Sequence, residues 1–123
     1  MSTSLFAQRK KLVAEADKAK AKELFTSQNY RQAIDEYLLL LYDDTANITY
    51  KHNIAICYLN TNIDKQKAIP YLESITSQPK CDINAWYDLG RAYQYAYRFE
   101  DAIKAYNKFI SINKGKDLSL IHI

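Results

Sequence analysis

Glycine and proline are scarce in this chain, with two of each among 123 residues. Gly90 and Gly115 are too few and too far apart to build a phosphate-binding loop or a dinucleotide-binding fingerprint. The same scarcity, in a chain that is 48% apolar, argues against disorder and against a turn-rich all-β fold. The composition therefore predicts an all-α protein.

Groups that carry chemistry are equally sparse. Cys57 and Cys81 lack the paired spacing of a metal site, and His52 and His122 lie far apart. We therefore expect no catalytic residue, no metal ligand, no cofactor and no enzymatic activity. Seventeen basic and 14 acidic residues give a formal charge of +3, which is too small to indicate a nucleic-acid-binding protein. No apolar run approaches the roughly 18 residues that cross a bilayer, so no membrane insertion is expected.

What the sequence does contain is a threefold repeat. Ala21, Ala55 and Gly90 are separated by 34 and 35 residues, and four more sets of equivalent residues, here called columns, keep spacings of 34 or 35. These columns are Leu24, Tyr58 and Tyr93; Ala33, Ala68 and Ala102; Tyr37, Leu72 and Tyr106; and Leu40, Ile75 and Phe109. Such a pattern predicts stacked helix pairs, because one pair cannot bury its apolar face alone.

Gly90 is the unusual member of its column, because glycine destabilises a helix by about 1 kcal/mol relative to alanine. Trp86, Leu89, Gly90 and Tyr93 share one face of a predicted helix. We expect Gly90 to form a notch in that face, filled by an aromatic ring from the second helix of the pair.

The repeat sets the predicted boundaries. Helices are predicted at 10–27, 30–42, 46–60, 65–77, 83–96 and 99–113. The repeat domain covers 10–113, with units at about 14–47, 48–82 and 83–116, between a flexible N-terminus or signal-peptide remnant at 1–9 and a partial capping helix at 114–123. Asn29 with Gln32, Asp64 and Asp82 are predicted N-caps, and Pro70 is expected to kink or delay the fourth helix.

The columns resemble the tetratricopeptide repeat, a 34-residue helix-turn-helix unit, over roughly residues 14–113. The stretch "QNYRQAIDEY" at 28–37 carries the resemblance in the first unit. In the third unit it is carried by Trp86, Leu89, Gly90, Tyr93, Ala102 and Tyr106. The resemblance implies a right-handed α-solenoid of three units. Lys20 and Lys51 depart from the pattern, since they stand where a large apolar residue and a tryptophan are expected.

In proteins of this family the first helix of each unit lines a concave groove that accepts a peptide or a partner's helix. By this resemblance the groove residues are Lys18, Lys22, Phe25, His52, Ile56, Asn60, Asn84, Tyr87, Arg91 and Tyr95. The resemblance implies a scaffold that binds a protein or peptide partner, the alternative being an ordinary solvated helix surface. A complete carboxylate clamp is not expected, because Lys22, Asn84 and Asp88 stand where the clamp has Asn, Lys and Arg.

A narrower resemblance is carried by "KAIPYLE" and the stretch from Ala85 to Ser111. Both are similar to the N-terminal repeat module of bacterial envelope proteins that continue into a β-propeller and an OmpA-like peptidoglycan-binding domain. This resemblance implies a periplasmic or outer-membrane-associated protein, with a cytoplasmic location as the alternative. It would explain "SLFAQ" as the remnant of a signal peptide.

A structural role is the competing interpretation. The repeats would then pack on other domains of a longer chain or self-associate, with no free groove. Leu118 and Ile121 begin an apolar face after Gly115, but only about two helical turns remain, short of a usual helix of roughly 10 to 14 residues. The cap is therefore expected to be incomplete, which favours self-association through the C-terminal end.

Overall fold

A computed structural model describes residues 4–113, apart from the side chains of Val13 and Ala16. Within this range the chain forms six α-helices, one short 3₁₀ turn and no strand. The helices are α1 (Leu5–Thr26), α2 (Tyr30–Asp43), α3 (Ile48–Leu59), α4 (Ala68–Thr76), α5 (Ile83–Tyr95) and α6 (Phe99–Ile112). The predicted all-α class is confirmed, whereas the partial capping helix predicted at 114–123 lies outside the described residues.

Each helix packs on the next one in the chain, and α3 also contacts α5. The six helices therefore form three consecutive pairs, α1/α2, α3/α4 and α5/α6, that stack as an α-solenoid. The buried residues form two clusters. One joins the first pair to α3 and the other joins the second pair to the third, so the core lies between pairs as well as within them.

The small residues of the repeat lie at the close helix contacts. Ala21 and Ala55 are fully buried, and a Cβ atom added to Gly90 would lie 2.6 Å from Cε1 of Tyr106. Nonbonded carbon atoms pack at about 3.5 to 4.0 Å, so the Tyr106 ring occupies the space that a side chain at position 90 would need. The prediction that an aromatic ring of the second helix fills this notch is confirmed.

All three predicted N-cap residues directly precede a helix or the 3₁₀ turn, but only Asp82 makes a capping hydrogen bond. Asp82 does cap α5, because its Oδ1 accepts a hydrogen bond of 2.9 Å from the backbone N–H of Asn84. Asn29 makes no such bond to α2, and its side-chain amide donates to Ser27 Oγ instead. Asp64 has a left-handed backbone conformation with φ of 54°, whereas capping residues usually adopt extended backbone.

Helix starts differ most from the prediction at α1 and α4. The helix α1 begins at Leu5, capped by Ser4, whose hydroxyl accepts from the N–H of Ala7. The predicted start of this helix at residue 10 is therefore five residues late, whereas the separate N-terminal segment at 1–9 stays a prediction. The α-helical part of the fourth helix begins at Ala68, after the 3₁₀ turn at Lys65–Lys67. Pro70 thus lies in the first turn, where its missing N–H has no helical acceptor to lose, and the predicted delay is confirmed.

Candidate functional site

The predicted groove residues lie on α1, α3 and α5 or at their ends, and a side-chain hydrogen bond links α3 to α5. Nε2 of His52 on α3 lies 3.0 Å from Oδ2 of Asp88 on α5, and both side chains are mostly buried. Nη1 of Arg91 lies 3.9 Å from Oδ1 of the same carboxylate. Asp88, which the sequence analysis named only as a departure from the clamp, therefore brings two predicted groove residues together.

Arg91 and two further predicted residues line one pocket at the third unit. Tyr87, Arg91 and Tyr95 share a pocket of about 430 Å³. Its remaining lining residues are Gln94, Tyr97, Phe99 and Tyr106. Five of these seven side chains are aromatic and one is a cation, so the pocket combines aromatic rings with a donor of charged hydrogen bonds.

The side chains that line this pocket differ in solvent exposure and in their contacts with the rest of the protein. The Tyr87 ring packs 5.6 Å from the Tyr106 ring, centroid to centroid, so it is half-buried and part of the packing of α5 on α6. Tyr95 is exposed, and the ammonium group of Lys65 lies 4.7 Å from its ring centroid. Arg91 keeps about a third of its side chain in solvent. Tyr95 and Arg91 are therefore the groups best placed to meet a ligand.

At the first unit, the exposed side chains among the predicted groove residues are charged. Lys18 and Lys22 are exposed, and Lys18 Nζ lies 3.6 Å from Glu15 Oε1 in a pair that solvent weakens. Phe25 is half-buried, with its ring edge-on to Tyr30 and Tyr37. Phe25 therefore stabilises the first helix pair more than it contributes to a binding surface.

The three other predicted positions have simpler surroundings. Asn60 is exposed at the end of α3, and its side-chain amide donates to the Ile56 carbonyl oxygen at 2.8 Å. Ile56 itself is half-buried, and Asn84 is exposed in the first turn of α5. Asn60 and Asn84 therefore contribute polar side chains to the predicted surface, and Ile56 contributes an apolar one.

Tyr97 and Phe99 are pocket residues that the sequence analysis missed. They lie in and just after the turn between α5 and α6, where both are exposed and their rings meet edge to face. Tyr97 has φ of 60°, in the left-handed region that residues with side chains rarely adopt. The sequence indicates a helix break in this stretch, but nothing in the repeat indicates that both rings line the pocket.

The titratable groups in the core are held protonated by packing. Burial raises the pKa of the Cys57 thiol to about 12, so it is not a nucleophile at neutral pH. Burial also raises the pKa of Tyr93, whose hydroxyl donates to Glu73 Oε2 at 2.6 Å. Among residues 4–113, no group of three or more His, Cys, Asp or Glu side chains is placed to hold a metal ion. No helix in this range is long and apolar enough to span a membrane.

Comparison with known proteins bears on the third unit. Residues 84–113, which cover nearly all of α5 and α6, match the family model described as tetratricopeptide repeat. No match is found among curated proteins. Repeats of this family generally mediate protein–protein interaction. The match supports the resemblance to the tetratricopeptide repeat, whereas the groove residues and the envelope module stay predictions.

Proposed function

We propose that this protein is a non-enzymatic scaffold that binds a protein partner along the groove residues of α1, α3 and α5. The observation that carries the proposal is the pocket in which Tyr87, Arg91 and Tyr95 come together beside the His52–Asp88 pair. Tyrosine and arginine are enriched among the residues that dominate binding energy at interfaces. Two of these three side chains are also partly free in the structure.

The charges along the groove suggest the chemistry of the partner. Lys18 and Lys22 lie at one end and Arg91 at the other, while the Asp88 carboxylate is already engaged by His52. A segment with acidic side chains, and with one aromatic or large apolar side chain for the pocket, would complement both features. Binding of such a segment should weaken as the salt concentration rises.

A double variant tests the groove. Arg91→Ala with Tyr95→Ala removes the cation and the exposed ring, and leaves Tyr87 in place because it also packs on α6. We expect pull-down from the source cell to lose the partners that the unaltered protein recovers. The matched control is Lys104→Ala with Asn107→Ala, two exposed residues of α6 outside the pocket. Both variants should give the same far-UV circular dichroism. Recovery of the same partners by both variants would reject the groove assignment.

A structural role is the second candidate, and one exposed residue favours it. Ile103 is 58% exposed, whereas Ile34 and Ile69, at the same position after the repeated alanine, are 7% exposed. This apolar end would pack on another domain or on a second copy. Sedimentation should then show mass increasing with concentration for the unaltered chain but not for Ile103→Lys. Leu39→Lys, at an exposed leucine of α2, is the control. A constant monomer mass at high micromolar concentration would reject self-association as the role of this end.

The proposal extends to a cellular location, in which the scaffold belongs to a bacterial envelope assembly. It is supported by the resemblance of "KAIPYLE" and the third unit to envelope repeat modules. Fractionation of the source cells would test it, with the protein expected in the periplasmic or outer-membrane fraction. Recovery in the cytoplasm alone would reject the envelope location but would not contradict the scaffold function.

A further inference from the structure

The first helix is longer than its equivalents in the other two units. The helices α3 and α5 begin seven residues before their column residues Ala55 and Gly90, whereas α1 begins sixteen residues before Ala21. The nine additional residues, 5–13, are here called the overhang, and they span about 14 Å of helix. Ala21 is buried, but every described side chain of α1 before it is exposed. The overhang therefore extends beyond the part of α1 that packs on the other helices.

Three large apolar side chains of the overhang are in contact with water. Leu5, Phe6 and Leu12 each expose at least 66% of their surface. At about 100° of rotation per residue they share an arc of about 120° of the helix circumference, and Arg9 lies within the same arc. No described residue covers this arc. Removing the three side chains from water would therefore be favourable.

The cations of the overhang account for the net charge of the whole chain. Arg9, Lys10 and Lys11 lie in a stretch, residues 4–14, that contains no acidic residue. The 17 basic residues of the chain less these three leave 14, which equals the number of acidic residues. The positive charge is therefore concentrated beside the exposed apolar side chains, and the remainder of the chain is balanced.

We propose that the overhang adsorbs on a bilayer surface that contains anionic lipids. The apolar arc would lie at the boundary between headgroups and hydrocarbon, and the three cations would lie among the headgroup phosphates and carboxylates. Arg9 can take part from within the arc, because its long aliphatic stem lets the guanidinium group reach the headgroups. Adsorption of this kind needs no helix that spans the membrane, and it does not depend on the groove function.

The combination of charge and exposed apolar surface favours a lipid surface over other occupants. A second copy of the overhang would bring like charges together. A nucleic acid would pair with the three cations but would leave Leu5, Phe6 and Leu12 in water. An anionic bilayer offers negative charge and an apolar phase within the same few ångströms of depth, which matches both features of the overhang.

Cosedimentation of the full chain with lipid vesicles tests the proposal. Vesicles of phosphatidylcholine with phosphatidylserine should bind the chain about tenfold or more tightly than vesicles of phosphatidylcholine alone, because each cation near an anionic surface strengthens binding about fivefold. Binding should weaken as the salt concentration rises. Equal binding to the two kinds of vesicle, or binding to neither, would overturn the proposal.

A pair of double variants tests whether the overhang is the part that binds. Phe6→Ser with Leu12→Ser removes two exposed apolar side chains from the overhang, and Leu39→Ser with Tyr42→Ser removes two from α2 that are about as exposed or more so. The first variant should lose binding to the anionic vesicles, whereas the second should bind as the unaltered chain does. Equal binding by the two double variants would overturn the proposal.

A duplex DNA in place of the vesicles separates a lipid surface from a general attraction for anions. The unaltered chain should not shift the duplex in a gel at the salt concentration at which it binds the anionic vesicles. Lys10→Gln with Lys11→Gln should lower vesicle binding about tenfold or more, since two of the three cations are lost. Binding of the duplex that is as tight as vesicle binding, and is kept by Phe6→Ser with Leu12→Ser, would overturn the proposal and assign the cations to nucleic acid.

Discussion

The two ends of the helix stack expose opposite chemistry. In the column that holds buried Ile54 and Leu89, the first unit carries Lys20, whose side chain is 61% exposed and whose Nζ lies 3.1 Å from Glu36 Oε1. At the other end the column of Ile34 and Ile69 keeps its apolar residue, Ile103, although no described residue covers it. The first unit is therefore built as a polar terminus, whereas the third presents a face suited to further packing.

This difference restricts how copies of the chain can associate. Head-to-tail stacking would bring Lys20 of one copy against the Ile103 face of the next. Burying a lysine ammonium without a full set of partners costs several kcal/mol, which the contact with one isoleucine would not offset. Any association through Ile103 should therefore pair like ends or use a different surface, and it should not produce open filaments.

The largest expected effect compares two members of one column. Ile69→Ala should destabilise the protein by about 2 to 5 kcal/mol, because Ile69 is buried where α5 covers α4. Ile103→Ala should cost less than about 1 kcal/mol, because more than half of the Ile103 surface is already in contact with water. Urea unfolding of the two variants measures the difference. Equal losses would contradict the comparison, since they would mean that Ile103 is covered in solution.

A smaller effect is expected at the notch, where the units also differ. Gly90→Leu should destabilise by about 1 to 3 kcal/mol, because the Tyr106 ring already fills the space beside Gly90. The second unit pairs Ala55 with Leu72 at the equivalent positions. Gly90→Ala should therefore be tolerated better when combined with Tyr106→Leu, which copies that pair. A double-mutant cycle by urea unfolding measures the coupling, and strict additivity would show that the two positions do not compete for space.

The notch shows why so much of the fold could be predicted from sequence. The small and large residues of the five columns recur at spacings of 34 or 35. The ring that fills the notch at Gly90 could therefore be predicted to come from one of these columns, and it is Tyr106. The start of α1 was missed because Ser4 and Leu5 precede the first repeat and have no equivalent in the other units to reveal them.

The candidate site was harder to predict than the fold. The contact between His52 and Asp88 joins residues 36 apart, one more than the repeat spacing, so it depends on how α3 and α5 are rotated against each other. The turn at Tyr97 depends on a backbone conformation that no residue type in "YAYRF" required. The repeat spacing predicts which residues of different units are equivalent. It does not predict which residues from two different columns come into contact between neighbouring helices.

The smallest effect on stability is expected when the first unit is given the apolar residue that the second and third units have at the position of Lys20. Lys20→Leu restores the apolar residue of its column but removes the ion pair with Glu36. A pair whose lysine side chain is exposed contributes about 0 to 1 kcal/mol. Unfolding free energy should therefore change by less than about 1 kcal/mol. The change in association should be clearer, since both ends would then be apolar and the barrier to head-to-tail contact would be gone. Sedimentation at rising concentration should show larger species for Lys20→Leu than for the polar control Lys20→Gln. Equal sedimentation of the two variants would show that Lys20 does not prevent association through the first unit.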